Sequence, residues 1–162
     1  MKFCPECGNP LREEQQENRI IHTCGCGFVD WDNWVNVCCM AVGFNERHEV
    51  LMVTLKGAED GKVTFPGGFR NLGETLEEAA RRECLEESGY RIEDLKLHRI
   101  YANDKRRLVW IVYLGKITGG SFAENPETRS ARFHAREDLP ATDALRGPIA
   151  REILGEFEEG KI

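Results

Sequence analysis

Short apolar runs bounded by turn residues recur along most of this chain, at 35–44, 49–55, 95–102, 108–117 and 129–135. Their length and their Val, Ile, Leu and Phe content predict strands. The first contains Val37-Cys38-Cys39-Met40-Ala41-Val42-Gly43-Phe44, without a polar side chain, which is the pattern of a buried strand. Cys38 and Cys39 are therefore expected in the core, since nothing beside them offers the base or positive field that a nucleophilic thiol needs. Turn chemistry stands at Asn45-Glu46-Arg47, at Gly57-Ala58-Glu59-Asp60-Gly61 and at Gly119-Gly120. Helical spacing replaces the strand pattern twice. From Glu74 to Ser88, Leu76, Ala79, Ala80 and Cys84 fall on one side, and Gly89 supplies the stop. From about Pro148 to Phe157, Ile149, Ile153, Leu154 and Phe157 make a second apolar face behind a helix-starting proline. Strands with few helices predict an α+β chain whose sheet is sandwiched between helices.

Residues 1–32 lack these runs and predict a small separate domain, with the larger one over 33–162. Cys4-Pro5-Glu6-Cys7-Gly8 and Cys24-Gly25-Cys26-Gly27 are two knuckles separated by 16 residues, close to paired-cysteine zinc spacing. The glycine after each knuckle lets the backbone turn tightly around a metal. Zn²⁺ is preferred to disulfides because a cytoplasmic setting keeps thiols reduced. The second knuckle has one intervening residue where two are usual, so the fourth ligand is Cys24 or, in its place, His22. The favoured set is Cys4, Cys7, Cys24 and Cys26, and a closed four-ligand site of this kind is structural.

The first helix carries an electrostatic problem on its other side. Glu83, Glu86 and Glu87 stand at i, i+3 and i+4 and share one face, where each like-charged pair costs roughly 0.2–0.5 kcal/mol. Hard divalent cations, which prefer oxygen ligands, would offset that repulsion. A glycine loop leads into this helix, and the whole segment from Gly68 to Tyr90 resembles the Nudix box, G-x5-E-x7-R-E-U-x-E-E-x-G-U with U a bulky aliphatic residue. Gly68, Glu74, Arg82, Glu83, Glu86, Glu87 and Gly89 fill the fixed positions. Seven such residues coincide by chance on the order of once per million windows at ordinary amino-acid usage. Cys84 and Tyr90 take the two U positions.

The resemblance implies a Nudix fold and a hydrolase in which water attacks phosphorus in a nucleoside diphosphate linked to another moiety. It implies Mg²⁺ or Mn²⁺ held by Glu83, Glu86 and Glu87, with the Gly67 carbonyl joining them. Arg82 reads as a clamp on a box carboxylate, because a guanidinium fork holds carboxylates bidentately, and it orients the site together with Glu74. The proton acceptor is Glu83 or Glu87, or an acid from a later loop, for which Glu124 and Glu127 are the candidates. Gly68 and Gly73 suit a loop of unusual backbone angles, and Pro66 a rigid turn.

With 22 basic and 28 acidic residues the formal net charge is −6, which disfavours broad attraction to nucleic acid or anionic membranes but not a polyanion bound through cations. The ribbon itself is acidic, with Glu6, Glu13, Glu14, Glu17, Asp30 and Asp32 outnumbering Lys2, Arg12 and Arg19, and this speaks against a nucleic-acid-binding ribbon. The longest apolar stretch is too short to span a bilayer, and a cytoplasmic location is expected. The expected partner is a small nucleotide, with homodimerisation left open. A zinc ribbon ahead of this box resembles the NADH pyrophosphatase arrangement, yet the S-Q-P-W-P-F-P-x-S element of that group is replaced by Tyr101-Ala-Asn-Asp-Lys-Arg-Arg-Leu-Val-Trp-Ile. Lys105, Arg106 and Arg107 are candidates to meet terminal phosphates, against the commoner fate of a solvated charged turn. Trp31 and Trp34 flank the domain boundary, where they stack on a base or seal a contact. A nucleotide-sensing module without turnover is the alternative function, disfavoured by the intact box.

Overall fold

The computed structural model describes residues 1–162, which divide into two units, Met1–Val35 and Asn36–Ile162. The first unit carries three short antiparallel strands in the order β1 (Arg12–Gln16), β2 (Arg19–Thr23), β3 (Val29–Asp30). All five residues of β1 are exposed, and the buried apolar side chains of the unit are Cys4, Ile21 and Cys24. So few apolar groups cannot offset the ordering entropy of 35 residues. The cysteines take the place of a core.

The second unit is built around β4 (Asn36–Phe44). It is followed by β5 (Val50–Leu55), β6 (Val63–Thr64), β7 (Gly67–Phe69), helix α1 (Leu76–Ser88), β8 (Tyr90–Asn103), β9 (Leu108–Gly120), β10 (Thr128–His134) and helix α2 (Gly147–Glu158). The main sheet runs β10-β5-β4-β9-β8, with β6 added to β5 and β7 to β4. The β4–β9 pair is parallel and the other pairs are antiparallel. Alternation along β4 feeds two cores, as the pleat requires. Cys39 and Ala41 join Leu51, Ile92, Ala79, Ala80 and Cys84 under α1. Met40 and Val42 join Val50, Met52, Val112, Ile153, Leu154 and Phe157 under α2. The expected sheet between helices is what forms. No helix is long and apolar enough to cross a membrane.

Three segments differ from expectation, and two short strands, β6 and β7, are additional to it. Helix α1 begins at Leu76, not at Glu74, because Thr75 caps it: the Thr75 hydroxyl accepts from the Glu78 amide (3.1 Å) while the Glu78 carboxylate accepts from the Thr75 amide (2.8 Å). Glu74 thereby sits outside the helix, with its side chain free to reach elsewhere. Strand β8 starts at Tyr90, five residues before the predicted 95; register shifts at Arg91/Ile92, Glu93/Lys96 and Leu97/Arg99 break the period of two that would have announced it. Gly119-Gly120 is not a turn but the end of β9, opposite Arg91 and Tyr90, at φ 151° and 111°. A side chain on Gly120 would strike the Gly89 carbonyl. Strands β6 and β7, of two and three residues, are too short to show any period.

Candidate active site

Strand β7 brings backbone, not side chains, against α1. A Cβ on Gly68 would lie 2.6 Å from Glu83 Oε2, and one on Gly67 would lie 2.6 Å from the Cys39 carbonyl oxygen. Gly68 is thus required by close approach, correcting the expectation that it serves an unusual backbone angle; of the two loop glycines, Gly73 is the one at positive φ (91°). Beneath this bare strand, Glu83 and Glu87 are each 8% exposed, so the acidic face of α1 is covered as well as its apolar face. The Gly67 amide donates to Glu87 Oε2 at 2.9 Å. Burial nonetheless pushes the Glu87 carboxyl up to about 7, and burial also raises Glu83, because desolvation disfavours the charged form. Glu86 remains open to solvent.

One guanidinium organises the cluster. Arg82 donates from Nε to Glu74 Oε1 (2.6 Å) and from Nη2 to Glu74 Oε2 (3.1 Å), the bidentate fork. Its Nη1 reaches both Glu83 Oε1 (2.6 Å) and Glu86 Oε2 (2.9 Å), and Nη2 also reaches the Phe69 carbonyl (2.8 Å). The Arg82 bond and the Asn71 amide hold the Glu74 carboxyl down at about 2. Arg82 therefore ties the helix to Glu74 before it and to β7 beside it. Of the two later-loop acids, Glu124 is engaged by Lys56 Nζ at 2.5 Å, which lowers its carboxyl. The charge of Glu127 instead bears on Glu83 and Glu87, helping to raise both.

Strand register exposes a group that the sequence reading missed. Tyr101 pairs with Trp110, Trp110 with Cys38, and Cys38 with Phe69, so four neighbouring strands place these side chains on one face. Tyr101 and Trp110 pack on the α2-side core, while Phe69 is 59% exposed. Because residues alternate along a strand, Phe69 faces away from Gly68 and hence away from Glu83. The sequence carried no signal for it, because β8 and β9 hold aromatic residues on both parities, Tyr90 and Tyr101 in the one and Trp110 and Tyr113 in the other. Arg106 and Arg107 occupy the β8–β9 hairpin tip, where Arg106 is exposed and Arg107 adopts left-handed backbone (φ 50°). The Arg107 carbonyl accepts from Asn36 (2.8 Å), and the Arg70 amide donates to Val37 (2.9 Å), so this tip and the glycine loop leave the same end of β4.

In the first unit the four Sγ atoms of Cys4, Cys7, Cys24 and Cys26 lie within 4.8 Å of one another. Cys4–Cys26 and Cys7–Cys24 stand 3.6 and 3.5 Å apart, close to the roughly 3.8 Å edge of a tetrahedron with Zn–S near 2.3 Å. All seven cysteines are free. The Asn9 amide, helped by Cys24, holds the Cys7 thiol down at about 7. Of the two candidates for the fourth position, Cys24 lies within the cluster, while His22 is 4.0 Å from Glu13 and not among the grouped residues.

The NUDIX domain family matches residues 32–154. The chain belongs to that family. Among similar proteins is the NAD-capped RNA hydrolase NudC of Salmonella paratyphi C, 25% identical over 155 residues, a match covering 94% of this chain and 58% of the relative. The chain thus spans less than two thirds of the length of the curated relatives it matches. A NUDIX hydrolase structure from Nitrosomonas europaea superposes with a TM-score of 0.82 at 24% identity, over 99% of this chain and 92% of that one. An ADP-ribose pyrophosphatase structure from Streptococcus suis superposes with a TM-score of 0.58 at 26% identity, over 78% and 91%.

Within the Nudix box each fixed residue now has a local physical reason. Gly89 sits at φ 76° and donates to the Leu85 carbonyl (2.8 Å), ending α1 as a left-handed cap. Cys84 is fully buried in the sheet core, and Tyr90 meets Phe133 edge-on with centroids 5.1 Å apart. These two departures from the aliphatic pattern are filled by packing.

Proposed function

We propose that the chain hydrolyses the pyrophosphate bond of a nucleoside diphosphate linked to a second moiety, a class that includes NADH and ADP-ribose, with water attacking phosphorus. The observation that carries this reading is the pair Glu83 and Glu87, both 8% exposed beneath a strand bare of side chains. Buried carboxylates at this density suit a hard cation that retains several waters, Mg²⁺ or Mn²⁺. Glu83, Glu86 and Glu87 would hold it together with the Gly67 carbonyl. Such an ion supplies charge compensation on the pyrophosphate and acidifies a bound water.

The remaining roles belong to the chain's own groups. Arg82, anchored bidentately on Glu74, keeps Glu83 and Glu86 at fixed spacing and so positions the ligands. The proton acceptor is Glu83 or Glu87, with Glu127 as the later-loop alternative. The row of Tyr101, Trp110 and Phe69 offers an apolar surface for a base on the other face of β7, and a diphosphate running past β7 would link it to the carboxylates. Arg106 and Arg107 are the proposed contacts to outlying phosphates. Cys4, Cys7, Cys24 and Cys26 hold structural Zn²⁺ in a ribbon ahead of the hydrolase domain. The NudC relative is named for NAD-capped RNA, which supports an NAD-linked pyrophosphate as the substrate class.

A panel of nucleoside diphosphate derivatives with Mg²⁺ and Mn²⁺ tests this, products being read by chromatography and by mass spectrometry after hydrolysis in ¹⁸O-labelled water. The expected products are a nucleoside monophosphate and a second phosphomonoester, with one solvent oxygen on phosphate. Label in a sugar hydroxyl, or release of free base, would sink the reading.

A further inference from the structure

The last four carbonyls of a helix have no partner within it. At the end of α1 the Leu85 carbonyl takes the Gly89 amide of the cap. The carbonyls of Glu86 and Glu87 are met from outside: Asn125 Nδ2 donates to both, at 3.2 and 3.3 Å. The other end of the same amide is equally engaged, Oδ1 accepting from the backbone N–H of Glu127 (3.0 Å) and of Thr128 (2.8 Å). A carboxamide has two donor hydrogens and one oxygen with two lone pairs, so this arrangement uses its full capacity and fixes which end is which. Lys56 locks the loop from the far side, its amide donating to the Glu127 carbonyl (2.8 Å) and its Nζ to the Asn125 carbonyl (2.9 Å).

We propose that Asn125 is a positioning residue: its amide fixes the end of α1 that carries Glu86 and Glu87 against the backbone of residues 125–128, and so holds those two carboxylates in place. This rests on the reading that the α1 glutamates hold a divalent cation. One neighbour supports it: the Ser121 amide donates to the Gly89 carbonyl (3.2 Å), docking the same segment on the same helix end. No residue of the Nudix box performs this task, since Asn125 lies 36 positions beyond Gly89 in the chain, counting from 89 to 125.

The test is Asn125→Asp, which keeps an acceptor for the Glu127 and Thr128 amides but sets an oxygen against two carbonyls, beside Asn125→Ala, which removes both ends. Mn²⁺ affinity of the full chain is measured by electron paramagnetic resonance without substrate, together with kcat, KM and the melting temperature in chelator. Residues that orient ligands are worth about 10- to 100-fold in metal affinity or activity. Both variants are expected to bind Mn²⁺ at least about tenfold more weakly and to lose kcat by a similar factor, with KM within about twofold. Unchanged Mn²⁺ affinity in a folded variant overturns the proposal while leaving the hydrolase reading intact, as does a kcat loss matched by the fraction unfolded. If Asn125→Asp does not fold, Asn125→Ala decides on the same measurements. Absence of Mn²⁺ binding in the unmodified chain, with no response to Glu86→Gln, overturns both.

Discussion

The two clusters of ionisable groups in this chain answer opposite questions of stability. In the first unit the four cysteines include two of its three buried apolar residues, and the strand β1 beside them is wholly exposed. In the second unit the glutamates rest on a helix already held by the core on its own face of the sheet, with a second core on the opposite face. On the proposed function, cysteines that replace a core make the fold of their unit conditional on metal. Glutamates that burden an existing core then make function conditional on metal and leave the fold to the apolar groups.

The largest expected effect follows from the first half of that contrast. Purified protein should hold about one zinc per chain, and structural zinc is worth on the order of 10 kcal/mol of folding free energy in small modules. A Cys4→Ser, Cys7→Ser double variant, or strong chelation, should release zinc and unfold residues 1–35 while amide protection in 36–162 persists. Full zinc retention by the double variant, measured by atomic absorption, would remove the contrast at its root.

The second half predicts the reverse for Glu86→Gln and Glu87→Gln. Each removes charge at near-constant shape, so the fold should survive while turnover drops a hundredfold or more, about 3 kcal/mol in the barrier. Melting temperature in chelator should hold or rise, because like-charge repulsion is relieved. Near-normal rates at limiting Mg²⁺ in both variants would show that the helix is not the reaction centre.

The smallest effect sharpens the comparison through pH. The Glu87 carboxyl stands at about 7 in the fold against 4.5 when unburdened. Between those values the folded chain binds more protons than the unfolded one, so stability should fall as pH rises. From pH 5 to pH 7 the loss from this group is about 2 kcal/mol at roughly 1.36 kcal/mol per unit. Denaturant midpoints of metal-free protein should show that slope, and Glu87→Gln should flatten it. Added Mg²⁺ should flatten it too, by stabilising the ionised form. An unchanged slope in the variant assigns the proton uptake elsewhere.

Much of this site could be read from residue order, because a helix converts sequence spacing directly into shared faces. Glu83, Glu86 and Glu87 needed only the 3.6 period, and the cysteine knuckles needed only their spacing. What stayed hidden depends on strand pairing. The role of Gly68 is set by its distance to Glu83 across β7, a strand of three residues. The aromatic row of Tyr101, Trp110 and Phe69 exists only through the registers of β8, β9, β4 and β7. Asn125 gave no local cue at all, since its partners lie on a helix that ends well before it in the chain. The early start of β8 was masked by its irregular register, and the start of α1 by a cap whose threonine follows an acidic residue that belongs to Arg82 instead.

The parallel pairing of β4 with β9 has a consequence for how the chain reaches its native state. Asn36 must find Leu108, and every residue to Phe44 finds its partner at the same long separation. Loop closure of that length comes before any reward from the contact, which places such domains among the slower folders, in milliseconds to seconds. During synthesis the apolar β4 leaves the ribosome long before β9 exists to cover one of its edges. The four cysteines, by contrast, have all emerged by residue 26 and need no later segment to meet. The order of maturation therefore runs from the cysteine unit to the sheet, and stopped-flow refolding in the presence of zinc should resolve a fast phase carrying Trp31 and Trp34 ahead of a slower one carrying Trp110.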